Sequence, residues 1–404
     1  MSACCCSDQK YVPLSCRPSF PGSVTGDMCE DLCVHGLVEY KRCLYYENGK
    51  KVIEARWRGN PVILKSKLEN FSSYEPLGIL DYQDPVEELS PLDVVSYATL
   101  EVRNSLGLED GAGNGSLARR WGKKLKPRER SYSRAELASL WSLLQQEEYT
   151  FLRVLQDLSS HVAKVLGSCG HFYAVEFLSA GHAWDQNIFS LEEVSVSGPQ
   201  GPGRAGARGR WTSREMVHRI ALSFLDMVWH FDNDFTHKLH LCDIKPENFA
   251  IRKDLTVVAI DVDMAFFEPK MRDILDQNCS SDEDCNFFDC SSRCNLDTRR
   301  CSPRRSNSNL QVICEKIFRP WFSPTLLGAK AGLPLQVELQ RAVQDCSEAQ
   351  EGSEDDRGGE AAPRRDVHQR LLNILSRLLQ DGGASGEGGG TWETRSHVHT
   401  ALNF

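Results

Sequence analysis

Cys242-Asp243-Ile244-Lys245-Pro246-Glu247-Asn248 sets an Asp, a Lys two residues on and an Asn three further on in one polar turn. Phosphoryl transfer to a hydroxyl asks little covalent work of a protein. It needs an acceptor for the hydroxyl proton, positive charge for the moving phosphoryl, and ligands for the metal that holds the nucleotide phosphates. Asp243 would orient or deprotonate the acceptor, Lys245 would neutralise developing charge, and Asn248 would offer its amide oxygen to Mg²⁺. A second metal-binding carboxylate is needed opposite this loop. The strand-like run Val257-Val258-Ala259-Ile260 ends at Asp261, and a hairpin between Asn248 and Asp261 would join the two. If the chain stayed extended, Asp261 and Asp263 would point the same way about 7 Å apart. Only one, Asp261, would then be the principal metal ligand. The competing reading makes Asp243 and Asp261 plain turn and cap residues.

This D-x-K-P-E-N run followed by a strand-Asp resembles the protein-kinase signature. A nucleotide-anchoring Lys is expected in a V-x-x-K strand, and Val62-Ile63-Leu64-Lys65 fits, with Lys67 as competitor. Its partner Glu is expected in a long helix with Leu at i+4 and i+7. Glu148 with Leu152 and Leu155 fits, and Glu147 competes. Other parts of the pattern are missing. Between Tyr45 and Lys65 there are only Gly49 and Gly59, so no Gly-rich loop brings backbone N–H groups close to phosphates. H-R-D has become Leu241-Cys242-Asp243, which removes the usual partner of an activation-loop phosphate. D-F-G has become Asp261-Val262-Asp263, and there is no A-P-E. The expectation is an unswitched kinase fold, pinned by disulfides instead of phosphorylation.

Working outward, residues 40–68 read as a β-meander with turns at Asn48-Gly49 and Gly59-Asn60-Pro61. Ser133 and Glu136 form a capping-box pattern opening a helix to about Leu158. Residues 171–178 read as a buried strand leading to an adenine-contacting hinge, and Ser213 to about Phe231 as an amphipathic helix. Stretches 107–130 and 197–210 read as loops. The expected organisation is a cysteine-containing tail (1–39), an N-lobe (40–178) with an insert at about 70–132, a C-lobe (179–346) with a cysteine-rich segment (279–314), and an acidic, Gly-rich tail (347–404). That tail is expected to be disordered at 347–365 and 381–392 around one helix, 366–379. The fold class is thus α+β: a two-lobed protein-kinase-like fold with an insert in the N-lobe and a disulfide-rich segment in the C-lobe.

The chain has 404 residues, 41% apolar and 25% charged, which suits an ordinary globular protein. Its net charge of −9 argues against nucleic acid as a partner, although Arg119–Lys126 is locally basic. Sixteen cysteines are many. Cys279, Cys285, Cys290, Cys294, Cys301 and Cys314 cluster, and Cys16, Cys29, Cys33 and Cys43 form an earlier group. The clustered six are disulfide candidates, because their spacing is irregular, lacks C-x-x-C and includes no His, all unlike structural zinc. Zinc remains the alternative. Sequons at Asn70, Asn114 and Asn278 are glycosylation candidates, which fits a secretory setting. No apolar run of about 18 residues offers a membrane span. Met1-Ser-Ala-Cys-Cys-Cys lacks a signal-peptide core. Either a targeting segment is missing or the cysteines are not secretory, in which case Cys4, Cys5 and Cys6 could carry acyl groups.

The runs Leu241–Phe249 and Ile260–Ala265, with the cluster Cys279–Cys301, are similar to the divergent protein kinase domain 1 family over about residues 30–345. The resemblance implies a cysteine-rich kinase-like domain in the endoplasmic reticulum lumen, using ATP with Mg²⁺ or Mn²⁺ on a protein substrate of the secretory pathway. It also implies membrane association through a single-pass anchor, which this sequence does not display. Some of that family carry a calcium-binding insert. Here Asp110-x-Ala112-x-Asn114-Gly115 keeps part of such a loop, but Trp121 stands where the bidentate Glu belongs, which argues against tight Ca²⁺ binding. Three readings follow: an active kinase, a pseudokinase that binds nucleotide or acts as a scaffold, and a cytosolic zinc-binding kinase-like protein.

Overall fold

A computed structural model describes residues 24–47, 50–67, 134–180, 213–324, 333–348 and 362–383. The chain divides into two units between Phe177 and Leu178. Asn70, Asn114, the partial calcium loop, the capping-box Ser133 and the cysteines before Cys29 lie outside the described residues.

The N-terminal unit is built on a five-stranded sheet in the order β1-β2-β3-β5-β4. The meander supplies β1 (Val38–Glu47), β2 (Lys50–Trp57) and β3 (Asn60–Ser66). Its second turn is Arg58-Gly59, with φ of 51° and 79°; Asn60 and Pro61 already belong to β3. Arg58 tolerates this left-handed conformation while its Nε donates to Asp31 Oδ2 at 2.6 Å, the oxygen that also accepts from Trp57 Nε1. β4 (Val165–Cys169) and β5 (Phe172–Glu176) complete the sheet. One face packs Ile53, Ala55, Val62, Leu64 and Ala174 against Met28 and the short helix α1 (Cys29–Cys33). The incoming chain crosses β4 so tightly that a Cβ on Gly26 would stand 2.1 Å from the Ser168 carbonyl oxygen. A disulfide, Cys29–Cys169, fastens the crossing.

The single helix expected after Ser133 is two helices, α2 (Arg134–Leu144) and α3 (Glu147–Leu155). The break has a polar cause. Gln146 is buried at 1% exposure. Its amide donates to the carbonyls of Ser142 and His171, and its oxygen accepts from Lys67 N at 2.8 Å. That side chain bonds to three pieces of backbone from the junction itself.

The C-terminal unit begins with β6 (Ser179–Ala180), which joins β8 (Phe249–Ile251) and β9 (Val257–Ala259) in one small sheet. Helix α4 (Ser213–Asn233) buries Ile220, Phe224, Leu225 and Phe231. Phe224 meets Phe249 edge-on at 5.1 Å. β7 (Leu239–Leu241) pairs with β10 (Ala265–Phe267), which runs into α5 (Glu268–Leu275). Four short strands then form two small hairpins: β11 (Asn286–Phe287) with β12 (Cys290–Ser291), and β13 (Cys294–Asn295) with β14 (Arg300–Cys301). α6 (Asn309–Ile313) continues through a π-helical turn (Cys314–Phe318), and α7 (Pro334–Glu348) follows.

The last helix corrects the expected tail. α8 (Ala362–Gly383) is longer than 366–379 and packs against α4 and α7. Leu371, Ile374, Leu375 and Leu378 are buried, at the i, i+3, i+4, i+7 spacing of one helical face. Buried His368 adds a bond from its ring to the Leu225 carbonyl at 3.0 Å. This helix is part of the C-terminal core. Among the described residues no helix is long and apolar enough to cross a membrane.

Candidate active site

In the N-terminal unit the sheet register builds a charged cluster. Val52, Lys65 and Tyr173 stand opposite one another on β2, β3 and β5. Opposed residues share a face, and so does Lys50, two residues from Val52. All face the side that carries α3. Lys65 Nζ lies 2.5 Å from Glu148 Oε1, and both residues are almost fully buried. Glu148 Oε2 accepts from the Tyr173 hydroxyl at 2.8 Å and stands 3.8 Å from Lys50 Nζ. Glu147 and Lys67, the alternatives in the sequence, are exposed, and Lys67 lies past the end of β3.

In the C-terminal unit β7 delivers the chain into the 242–248 loop. Asp243 Oδ2 accepts from Lys245 Nζ at 2.7 Å and from Asn248 Nδ2 at 2.9 Å. Asn248 Nδ2 also donates to the Asp243 carbonyl. A 3₁₀ turn (Pro246–Asn248), started by the proline, puts Asn248 back over Asp243. Burial is the largest single influence on the Lys245 ammonium and lowers its pKa. The Asp243 hydrogen bond and charge, with Asp261 and Glu247, outweigh it, so the ammonium is held above its ordinary value. The β8–β9 hairpin closes on the same loop, where the Asn248 carbonyl accepts from Ile260 N at 2.9 Å and Asp261 N at 3.4 Å. Asp261 therefore stands beside Asn248. The extended geometry expected through Asp263 is absent. The strand ends at Ala259 and Asp263 lies in a turn, closed by Ala265 N donating to the Val262 carbonyl. The 7 Å argument for choosing between the two carboxylates therefore lapses, and adjacency to Asn248 takes its place.

All six clustered cysteines are disulfide-bonded, in the pairs Cys279–Cys294, Cys285–Cys301, Cys242–Cys290 and Cys314–Cys346. Cys33 and Cys43 are disulfide-bonded as well. The sulfurs of Cys279, Cys285 and Cys294 lie near one another, but sulfurs joined in disulfides are not the thiolates zinc requires. Asn278 is exposed beside Cys279.

Two features of this segment escaped the sequence. Cys242, in the position of the missing Arg, is bonded to Cys290 across 48 residues. Asp289, next to it, accepts from Ile244 N at 2.6 Å through one carboxylate oxygen and from Lys316 Nζ at 2.5 Å through the other. Its backbone N–H donates to the Cys242 carbonyl, and its own carbonyl accepts from Arg305 and Asn307. The only signal in the sequence was the oddity of a cysteine beside Asp243.

A family model described as the protein-kinase domain of FAM69 matches residues 140–349, just over half of the chain. A second, described as the N-terminal cysteine-rich ER region of FAM69, matches residues 3–84. The boundary between them cuts the N-terminal unit, since β1–β3 and Lys65 fall in the second match while Glu148 and β5 fall in the first. The cysteine-rich match associates the chain with the endoplasmic reticulum. With a five-stranded sheet carrying a Lys–Glu pair, a D-x-K-P-E-N loop met by an Asp just past a strand, and matches along most of its length, this chain belongs to the FAM69 family of divergent kinase-like proteins.

Proposed function

We propose that this chain is a secretory-pathway protein kinase that transfers the γ-phosphoryl group of ATP to a hydroxyl of a lumenal or secreted protein. The observation that carries the proposal is the shared oxygen of Asp243, which holds both Lys245 and Asn248. Asp243 would accept the proton of the substrate hydroxyl, while Lys245 supplies positive charge beside it. Lys65, fixed by Glu148, would bind nucleotide phosphates. The oxygen donors fit a hard cation. Asn248 commits its amide nitrogen to Asp243, which leaves its amide oxygen as the group to offer, and Asp261 adds a carboxylate alongside. Mg²⁺ or Mn²⁺ would neutralise phosphate charge there. The disulfides support a lumenal setting, where such bonds persist.

The test is metal-dependent nucleotide binding, read as the Mn²⁺-dependent rise in melting temperature with ATP. Asp261→Asn should abolish the rise and Asp263→Asn should preserve it. The reverse pattern would reassign the ligand, and two silent variants would remove the metal site. A pseudokinase is the second reading, favoured by the lack of a Gly-rich link between β1 and β2. It predicts ATP binding without ATP consumption.

A further inference from the structure

The absent Gly-rich loop leaves a question of grip. In its place β1 ends at Glu47, β2 begins at Lys50, and these two residues pair across the hairpin. We propose that Lys50 is a second phosphate ligand, its side-chain charge doing what backbone N–H groups of a glycine loop would do. The inference rests on the nucleotide reading of the Lys65–Glu148 cluster.

Three observations lead there. Lys50 projects from the same sheet face as Lys65, by the Val52–Lys65 register and the two-residue repeat of a strand. Its ammonium reaches the same carboxylate, at 3.8 Å from Glu148 Oε2, against 2.5 Å for Lys65 on Oε1. Its side chain is 17% exposed, against 7% for Lys65, so it is the more open of the two to a ligand. Charge makes the case sharper. Lys65 and Glu148 alone sum to zero, which attracts no polyphosphate. Lys50 adds a second cation to that mostly buried pair, where a charge acts on an anion more strongly than in water. The Tyr173 hydroxyl on Glu148 Oε2 fixes the carboxylate without adding charge. The ligand class is therefore a nucleoside di- or triphosphate, contacted through its phosphates and not its base.

Calorimetric titration of the full chain with Mn²⁺-ATP, Mn²⁺-ADP and adenosine tests this. Lys50→Ala should weaken ATP and ADP by about tenfold or more and leave adenosine unchanged. Lys50→Arg should keep most of the affinity. Lys41→Ala, an exposed β1 lysine paired with Glu39 at 3.4 Å, should change nothing. Equal weakening of all three ligands would mean that Lys50 only supports the fold, and this overturns the inference. Unchanged ATP affinity in Lys50→Ala overturns it alone. Failure of the unmutated chain to bind any nucleotide overturns the nucleotide reading, and the inference with it.

Discussion

The Lys65–Glu148 cluster and the Asp243–Lys245–Asn248 loop are held by different chemistry. The first rests on a buried ion pair between a central strand and the first turn of α3, placed by sheet register. The disulfide Cys29–Cys169 fastens the opposite face of the sheet. The second rests on a bend in which Asp243 accepts from Lys245 and Asn248. Asp243 and Lys245 are half-buried and exposed, and the loop is stapled from outside by Cys242–Cys290 and by Asp289. A regulated kinase would anchor this loop's neighbour through a phosphate on the H-R-D Arg. Here a covalent bond occupies that position. The 242–248 loop is thus tied covalently to Cys290.

The largest effect should come from the ion pair. Lys65→Met leaves Glu148 buried without its closest cation, which should cost about 3–5 kcal/mol of stability. The double variant Lys65→Met/Glu148→Leu should lose less than Lys65→Met alone in urea unfolding. Equal losses would show that the pair is not the source. Next comes the staple. Cys242→Ala/Cys290→Ala should lose about 2–4 kcal/mol. It should keep its affinity for Mn²⁺-ADP while ATP consumption falls. Full retention of turnover would show that the clamp does not position the loop.

A pH test separates the regions further. Burial, and then the charge of Lys51, lower the His171 pKa to about 4. Between about 6.5 and 4 the unfolded chain binds the proton and the folded chain does not, so stability falls as pH drops through that window. The loss approaches about 3 kcal/mol at its lower end. His171→Gln should flatten that acid limb in urea midpoints measured at pH 7 and pH 5. An unchanged slope would place the acid sensitivity elsewhere. The smallest effect is expected from Asp289→Asn, which keeps an acceptor for Ile244 N but weakens the tie to half-exposed Lys316, at about 1 kcal/mol. Its signature should be kinetic: kcat lowered with KM for ATP unchanged. A rise in KM alone would contradict a positioning role.

What the sequence made legible follows from range. The meander, the V-x-x-K strand and the Glu148-Leu152-Leu155 spacing are local patterns, each tied to the period of one element. The Asp243–Asn248 loop and Asp261 are close in sequence and joined by a short hairpin, so their meeting could be anticipated. The break at Gln146 could not, because its cause is a buried side chain bonding to backbone at His171 and Lys67, both distant in sequence. The turn at Asp263 was hidden for a related reason, since a strand's end depends on where pairing with β8 stops. Cys242 is 48 residues from Cys290 and Asp289 is 45 from Ile244, and cysteine spacing does not reveal partners. The α8 stripe was visible as a helix, but its packing on α4 was not.

ATP consumption by purified, oxidised protein tests the central claim most directly, measured with Mg²⁺ or Mn²⁺ beside Asp243→Ala and Asp261→Ala. The account predicts metal-dependent turnover in the unmutated chain, lost in both variants while Asp243→Ala still binds nucleotide. Turnover that survives both substitutions, or nucleotide binding with no turnover under any metal, would contradict it.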